Sequence, residues 1–401
     1  LLSRDRDDSP GGGRPYDDDK GPMTGDTPAA APGGSAVGAP FAVAPIDCDI
    51  HPAVPGIGAL LPYFDELWRE MILLRGIDKL ALSLSSYPAG APATVRPDWR
   101  PPSGLPGSDL ALLQRQALDA FGSELAICNV LHGGQLLHSE DMAAAFCSAI
   151  NQWIARELLD RDPRLRASIL IPLENPAMAV EEIERCAADP RFVQVLVFVM
   201  GEVPLGRRRL WPIYEAAVKH GLPVGVHAGS AYRHPPTTIG WPSYFMEDYV
   251  AQSAAFETQL LSLVSEGAFA KFPELKVVFI ESGFTWLPAF MWRANKTWRG
   301  VRAEVPWVKQ APPDLVRHHL RLTLQPVDPP ANPQAFERVL DQLGSEDMLL
   351  FSTDYPHGHF EGTSALPQAL AGSIAAKVLA GNALATYPRL RQQQSVREIA
   401  P

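Results

Sequence analysis

VQVLVFV, residues 193–199, is apolar at six of its seven positions, so both faces of any strand it forms must be buried. A strand with one solvated face alternates apolar and polar residues; an unbroken β-branched run belongs to a parallel sheet covered on both sides. Similar runs lie on either side of it. Upstream are IDCDIH (46–51), AICNVL (126–131) and ASILIPL (167–173); downstream are PVGVHA (223–228), KVVFIES (276–282), RLTL (321–324) and MLLFSTD (348–354). Helix-like segments separate them at 141–159, 177–188, 210–220, 251–271, 284–298 and 333–343. Eight strands alternating with helices predict an α/β fold, a closed (β/α)8 TIM barrel; a doubly wound open sheet is the competing arrangement.

Residues 56–125 break the rhythm. They separate the first two strands by more than a crossover requires and predict an insertion over one end of the barrel. Within it, 58–73 reads as helix and LALSLSS (80–86) as a short strand. Residues 1–22, with PYDDDKGP ahead of Met23, resemble an expression tag, and 23–45, rich in Ala, Gly and Pro, read as a flexible leader. Residues 46–390 are then the barrel and 391–401 a C-terminal tail.

The net charge of −10 argues against nucleic acid and anionic membranes as partners, since both select basic surfaces. Removing 1–22, with four basic and six acidic residues, leaves −8 and the same conclusion. No apolar run reaches the roughly 18 residues of a membrane span. Cys48, Cys128, Cys147 and Cys186 form no C-x-x-C pair, which fits a reducing compartment and a cytoplasmic protein.

In a barrel of this kind, chemistry gathers at the C-terminal strand ends. Those ends carry Asp49 and His51 (strand one), His227 (five), Glu281 (six) and Asp354 (eight). Asp47, Asp49 and His51 share one face of their strand because side chains alternate. Each residue alone has a structural reading: a hydrogen-bonded histidine, a turn aspartate, a helix-capping glutamate. Together, imidazoles and carboxylates from four strands suit one divalent cation, Zn²⁺ or Mn²⁺.

The segments IDCDIHP, LWPIYEAAVKHGLPVGVHAG, KVVFIESGFTWLP and FSTDYPH, in that order, resemble the amidohydrolase-related proteins grouped with aminocarboxymuconate-semialdehyde decarboxylase. The similarity runs from about residue 45 to 387 and closes on GNALATYP. It implies a mononuclear metal site in a (β/α)8 barrel, and members that are either hydrolases or nonoxidative decarboxylases. It also implies a homodimer or larger oligomer. The family's first-strand H-x-H is here Asp49-x-His51, similar to the E-x-H form of decarboxylases that often carry manganese. His227 and Asp354 match the fifth- and eighth-strand ligands. Where decarboxylases of the family place a catalytic histidine on strand six, this chain has Glu281, a further ligand or a general base.

The expected activity is therefore a metal-dependent hydrolase of a small carboxylated or aromatic substrate, with Asp354 or Glu281 moving the proton of a metal-activated water. The alternative is a nonoxidative decarboxylase in which His357 or His359 supplies the acid. At least one of these two reads as an exposed loop histidine, and His359→Ala is expected to be mild. A third possibility is a metal-binding barrel without turnover. Arg233, His234, Trp241 and Tyr244, in the long loop after strand five, are candidates for holding substrate or for contacting a second subunit. Trp292, on the helix after strand six, reads as packing.

Overall fold

The computed structural model describes residues 41–77, 95–229, 234–360 and 364–391. The tag, nearly all of the leader, the candidate strand 80–86, Arg233 and the tail beyond Arg391 lie outside these residues.

Eight strands form one parallel sheet in chain order: β1 (Ile46–Ile50), β2 (Leu125–Cys128), β3 (Leu165–Leu170), β4 (Phe192–Phe198), β5 (Val224–His227), β6 (Val277–Ile280), β7 (Leu320–Thr323) and β8 (Leu349–Leu350). Every strand residue is buried, as unbroken apolar runs require. The ring closes where Cys48 N–H donates to Phe351 O (2.9 Å), Asp354 N–H to Asp49 O (3.0 Å) and His51 N–H to Tyr355 O (2.7 Å). The barrel stands, and the open doubly wound sheet does not.

The predicted strands overrun where polar side chains take over from the ladder. β2 stops at Cys128: Asn129 N–H still donates to Ile50 O (2.8 Å), but its carbonyl accepts from His51 Nδ1 (2.8 Å) and its side-chain amide donates to Asp49 Oδ1 (2.9 Å). β8 keeps only two ladder residues, and Phe351–Tyr355 instead bind β1 by the irregular bonds above. The helix predicted at 251–271 begins at Phe245, where the Glu247 carboxylate accepts from the Ser243 and Tyr244 N–H groups, and stops at Gly267 (φ 84°). A short helix at Pro312–His319 had no counterpart in the sequence reading. Trp292 is 59% exposed, so the packing role expected for it is not what the structure shows.

A buried polar layer crosses the barrel beneath the strand ends. Ser168 Oγ donates to Asn129 Oδ1 (2.6 Å), Gln194 Nε2 to Ser168 Oγ (2.8 Å) and Tyr387 OH to Gln194 Oε1 (2.9 Å). A Cβ on Gly225 would lie 2.5 Å from Gln194 Nε2, so β5 admits no side chain facing this layer.

Between β1 and β2 the chain forms helices at Ile57–Leu60 and Glu66–Arg75 and another from Leu110. Residues 95–107, ahead of the last of these, lie against the C-terminal strand ends. Arg96 N–H donates to Pro356 O (3.0 Å), Val95 pairs with His357, and Gly107 (φ 76°) presses so near His51 O that a Cβ would sit 2.3 Å away. Among the described residues no helix is long and apolar enough to cross a membrane.

Candidate metal centre

Alternation along β1 turns Asp47, Asp49 and His51 into the barrel. Asp47 is a support: it accepts from Thr353 N–H (3.0 Å), Thr353 Oγ1 (2.6 Å) and Asp49 N–H (3.2 Å), tying β1 to the residues after β8. Complete burial pushes its carboxyl up to about 7, against the pull of the Thr353 hydrogen bonds.

The other two residues reach the centre. His51 Nδ1–H donates to Asn129 O (2.8 Å), which leaves Nε2 directed inward, 2.8 Å from Asp354 Oδ1, 3.1 Å from Asp49 Oδ1 and 3.6 Å from Glu281 Oε1. His227, at the end of β5, is fixed in the same sense: Nδ1–H donates to Ala228 O (2.6 Å) and Nε2 points inward, 3.8 Å from Glu281 Oε1. That Nε2 and Asp49 Oδ2 are buried without a hydrogen-bond partner among the described residues. Glu281 and Asp354 both hold φ near 57°, a backbone region that costs a non-glycine residue of order 1–3 kcal/mol and that persists mostly at functional sites.

One donor atom from each of Asp49, His51, His227 and Glu281 lies within 4.8 Å of the others, and the same holds for His51, Glu281, Asp354 and His357. The five residues expected to hold metal thus fall into two overlapping groups that share His51 and Glu281: Asp49 and His227 belong to one, Asp354 to the other. Asp354 Oδ2 is a third buried atom without a hydrogen-bond partner among the described residues, with only the close approach of His359 Nε2 (2.8 Å) beside it. Three atoms left without hydrogen bonds in the protein interior are the environment a divalent cation satisfies and a packed core avoids.

The loop after β8 adds two imidazoles. His357 Nδ1 is 2.9 Å from both Glu281 Oε1 and Asp354 Oδ1, and His359 Nε2 is 2.8 Å from Asp354 Oδ2. Neither is the exposed loop histidine that the sequence suggested. Tyr249, which sequence reasoning missed, has its hydroxyl 2.7 Å from His359 Nδ1. Its only signal was a place one turn into the helix after the aromatic loop.

Without a cation, these carboxylates draw protons onto the histidines. Burial alone would lower His357, but Asp354 and Glu281 outweigh it and push the imidazole up to about 10. His51 and His359 are raised against burial in the same way, by Asp49 and Asp354 and by Asp354 and Glu281 respectively. Burial would raise Asp354, yet the adjacent His357 and His359 hold it well below the usual carboxylate range.

A stability profile follows. Histidines raised in the folded state stabilise it fully below their unfolded pKa near 6.5, and lose that contribution as pH rises through the folded value, about 10 for His357. Asp354 contributes above the ordinary carboxylate pKa and loses it as pH falls. The contribution of these histidines and Asp354 to the metal-free protein is therefore expected to be largest between about pH 4 and 6.5 and to fall toward pH 10, while Asp47, raised to about 7, adds a further loss as pH rises from about 4 to 7. Saturating Mn²⁺ should flatten the alkaline side, because the cation replaces the lost protons. Thermal melts with and without metal check this; identical pH profiles would mean that no cation enters the cluster.

None of the loop candidates belongs to either group of possible metal-holding residues among the described residues. Trp241 and Tyr244 are 54% and 71% exposed, His234 Nε2 is 3.6 Å from Glu202 Oε1, and Arg233 is outside the described residues.

A family model described as amidohydrolase matches residues 46–389. The chain belongs to that family. It is 25% identical over 215 residues to a gamma-resorcylate decarboxylase of Polaromonas sp., a match spanning 51% of this chain and 64% of that relative, just under two thirds. A second gamma-resorcylate decarboxylase, from Rhizobium sp., is 23% identical over 266 residues, 64% of this chain and 80% of the relative. Two solved structures share the fold. A 2,6-dihydroxybenzoate decarboxylase from Rhizobium superposes with a TM-score of 0.60 at 19% identity, covering 86% of this chain and 98% of its own. A 5-carboxyvanillate decarboxylase from Novosphingobium aromaticivorans, complexed with manganese, gives 0.64 at 17% identity, covering 88% and 98%.

These relatives overturn the expectation of a hydrolase. That expectation leaned on the missing strand-six histidine. An imidazole does stand beside the residue that takes its place: His357, three residues past Asp354, lies 2.9 Å from Glu281 Oε1.

Proposed function

We propose that this chain is a metal-dependent, nonoxidative decarboxylase of a hydroxylated aromatic carboxylic acid, with one divalent cation and manganese favoured over zinc. The observation that carries this reading is the match to decarboxylases, two of them gamma-resorcylate enzymes, over up to 64% of the chain. The donor set supports it. Asp49, His51, His227 and Asp354 would hold the cation, with Glu281 beside them. Carboxylate-rich sites suit manganese, which prefers oxygen donors more than zinc does. One dication and one imidazolium would balance the three carboxylates.

When bound, the cation supplies positive charge that anchors the carboxylate and neighbouring phenolic oxygen of the substrate. The protein's residues manage the proton. Glu281 and Asp354 both meet His357 at Nδ1 (2.9 Å), which orients the imidazole and offsets its charge when it is protonated, and so suits it to act as general acid. His357 gives its proton to the ring carbon that bears the carboxylate. The bond from that carbon to the carboxylate then breaks, its electron pair restores the aromatic ring, and CO₂ leaves. His357 recovers a proton from water. Asp354, held strongly acidic, remains an anion throughout and offsets the imidazolium.

The test is to incubate manganese-loaded protein with 2,6-dihydroxybenzoate and 5-carboxyvanillate in D₂O, measuring CO₂ and the product's proton NMR spectrum. CO₂ equimolar with product, and one deuteron on the vacated carbon, is expected. Metal-replete protein that releases no CO₂ from these or other hydroxybenzoic acids would sink the proposal.

A further inference from the structure

Three aromatic rings lead from the helix Phe245–Glu266 to the cluster. Phe245 stacks on Tyr249 (centroids 5.4 Å apart, planes at 18°), and Tyr249 stacks on His359 (5.4 Å, 14°). The Tyr249 hydroxyl is also 2.7 Å from His359 Nδ1, while His359 Nε2 is 2.8 Å from Asp354 Oδ2. One residue thus holds the His359 ring both by its face and by its edge. The imidazole's other nitrogen meets the oxygen of Asp354 that does not face His51 and His357, since both of those meet Oδ1.

We propose that Tyr249 is a positioning residue: through His359 it fixes how the Asp354 carboxylate is presented to the cluster. The two contacts divide the work. Stacking sets the plane of the imidazole, and the hydroxyl sets its rotation about the side-chain bond. Without the hydroxyl, His359 could turn its ring away from Asp354 Oδ2, and the carboxylate would lose the 2.8 Å contact at that oxygen, which has no hydrogen-bond partner among the described residues. Partners of this kind, one step removed from a metal ligand, typically change affinity or activity 10–100-fold when lost. The inference rests on reading Asp354 as a metal-holding residue, and it adds a role for a residue 105 positions away in the chain.

Tyr249→Phe tests it, because phenylalanine keeps the stack and removes only the hydroxyl. Two readouts are needed. In metal-free protein labelled with ¹⁵N-histidine, the His359 ring signals, identified by their loss in His359→Gln, should shift in Tyr249→Phe. The wild type alone should also show a slowly exchanging proton in the bond between the Tyr249 hydroxyl and His359 Nδ1, whichever of the two carries it. Mn²⁺ titration followed by electron paramagnetic resonance should then show roughly 10–100-fold weaker binding in Tyr249→Phe. Unchanged ring signals with unchanged Mn²⁺ affinity would overturn the proposal, as would a wild type with no protected proton in that bond. If wild type binds no Mn²⁺, the metal reading of the site fails, and the ring signals alone decide whether Tyr249 positions His359.

Discussion

Replacing Asp354 by asparagine is expected to lower turnover by roughly 10³-fold, the scale of losing a buried electrostatic group at a reacting centre. Asparagine has the same shape, so the backbone bond from residue 354 N–H to Asp49 O (3.0 Å) and the barrel seam survive. The chemistry does not. Asp354 Oδ1 meets His51 and His357, and Oδ2 meets His359. An amide places an N–H₂ against one of those sets and removes the charge that holds the imidazoles protonated. In the metal-free protein His357 loses the main charge that raises it and falls back toward the ordinary histidine range. Two measurements separate these effects: metal content, which falls if Asp354 is a ligand, and the pH dependence of residual CO₂ release, which moves to lower pH if it sustains the acid. A variant keeping full metal and more than about a tenth of wild-type turnover would remove Asp354 from the mechanism.

The barrel was legible because its signals are local. VQVLVFV and its counterparts carry burial on both faces within seven residues, and a parallel sheet follows from that alone. The metal-holding candidates were legible for a related reason: strand ends in this architecture converge, so Asp49, His51, His227, Glu281 and Asp354 could be gathered from position without coordinates. Nothing comparable announced Tyr249, whose contact with His359 spans 110 positions and depends on where a helix starts. That start was misplaced by six residues because the cap is made by the Glu247 carboxylate reaching back to Tyr244 N–H, a bond between polar residues inside an aromatic loop. Reaction type was misread for a different reason. A missing histidine on β6 looked like lost chemistry, yet the fold returns an imidazole to the same carboxylate from the loop after β8. Sequence position identifies which strand a residue ends; it does not show which neighbour's side chain fills the space in front of it.

His227→Ala separates metal binding from stability more sharply than any other substitution in the site. His227 Nε2 is buried with no hydrogen-bond partner among the described residues, and leaving such a group unsatisfied costs about 1–3 kcal/mol. Alanine removes that penalty. It also removes a ring that packs edge-on against His51 (4.9 Å) and Phe198 (6.3 Å), a loss of about 2–4 kcal/mol by analogy with other large-to-small core changes. The two nearly offset, so metal-free His227→Ala should melt within a few degrees of metal-free wild type. The holo proteins should differ. Metal at 100 times its dissociation constant stabilises the wild type by about 2.7 kcal/mol, and that upward shift in melting temperature should disappear in the variant together with turnover. The reverse pattern, a large fall in the metal-free melt with the metal-induced shift retained, would make His227 a packing residue whose unpaired nitrogen is incidental. A buried lone pair that costs stability in the empty protein and returns it only when a cation arrives is what distinguishes a ligand from a core histidine.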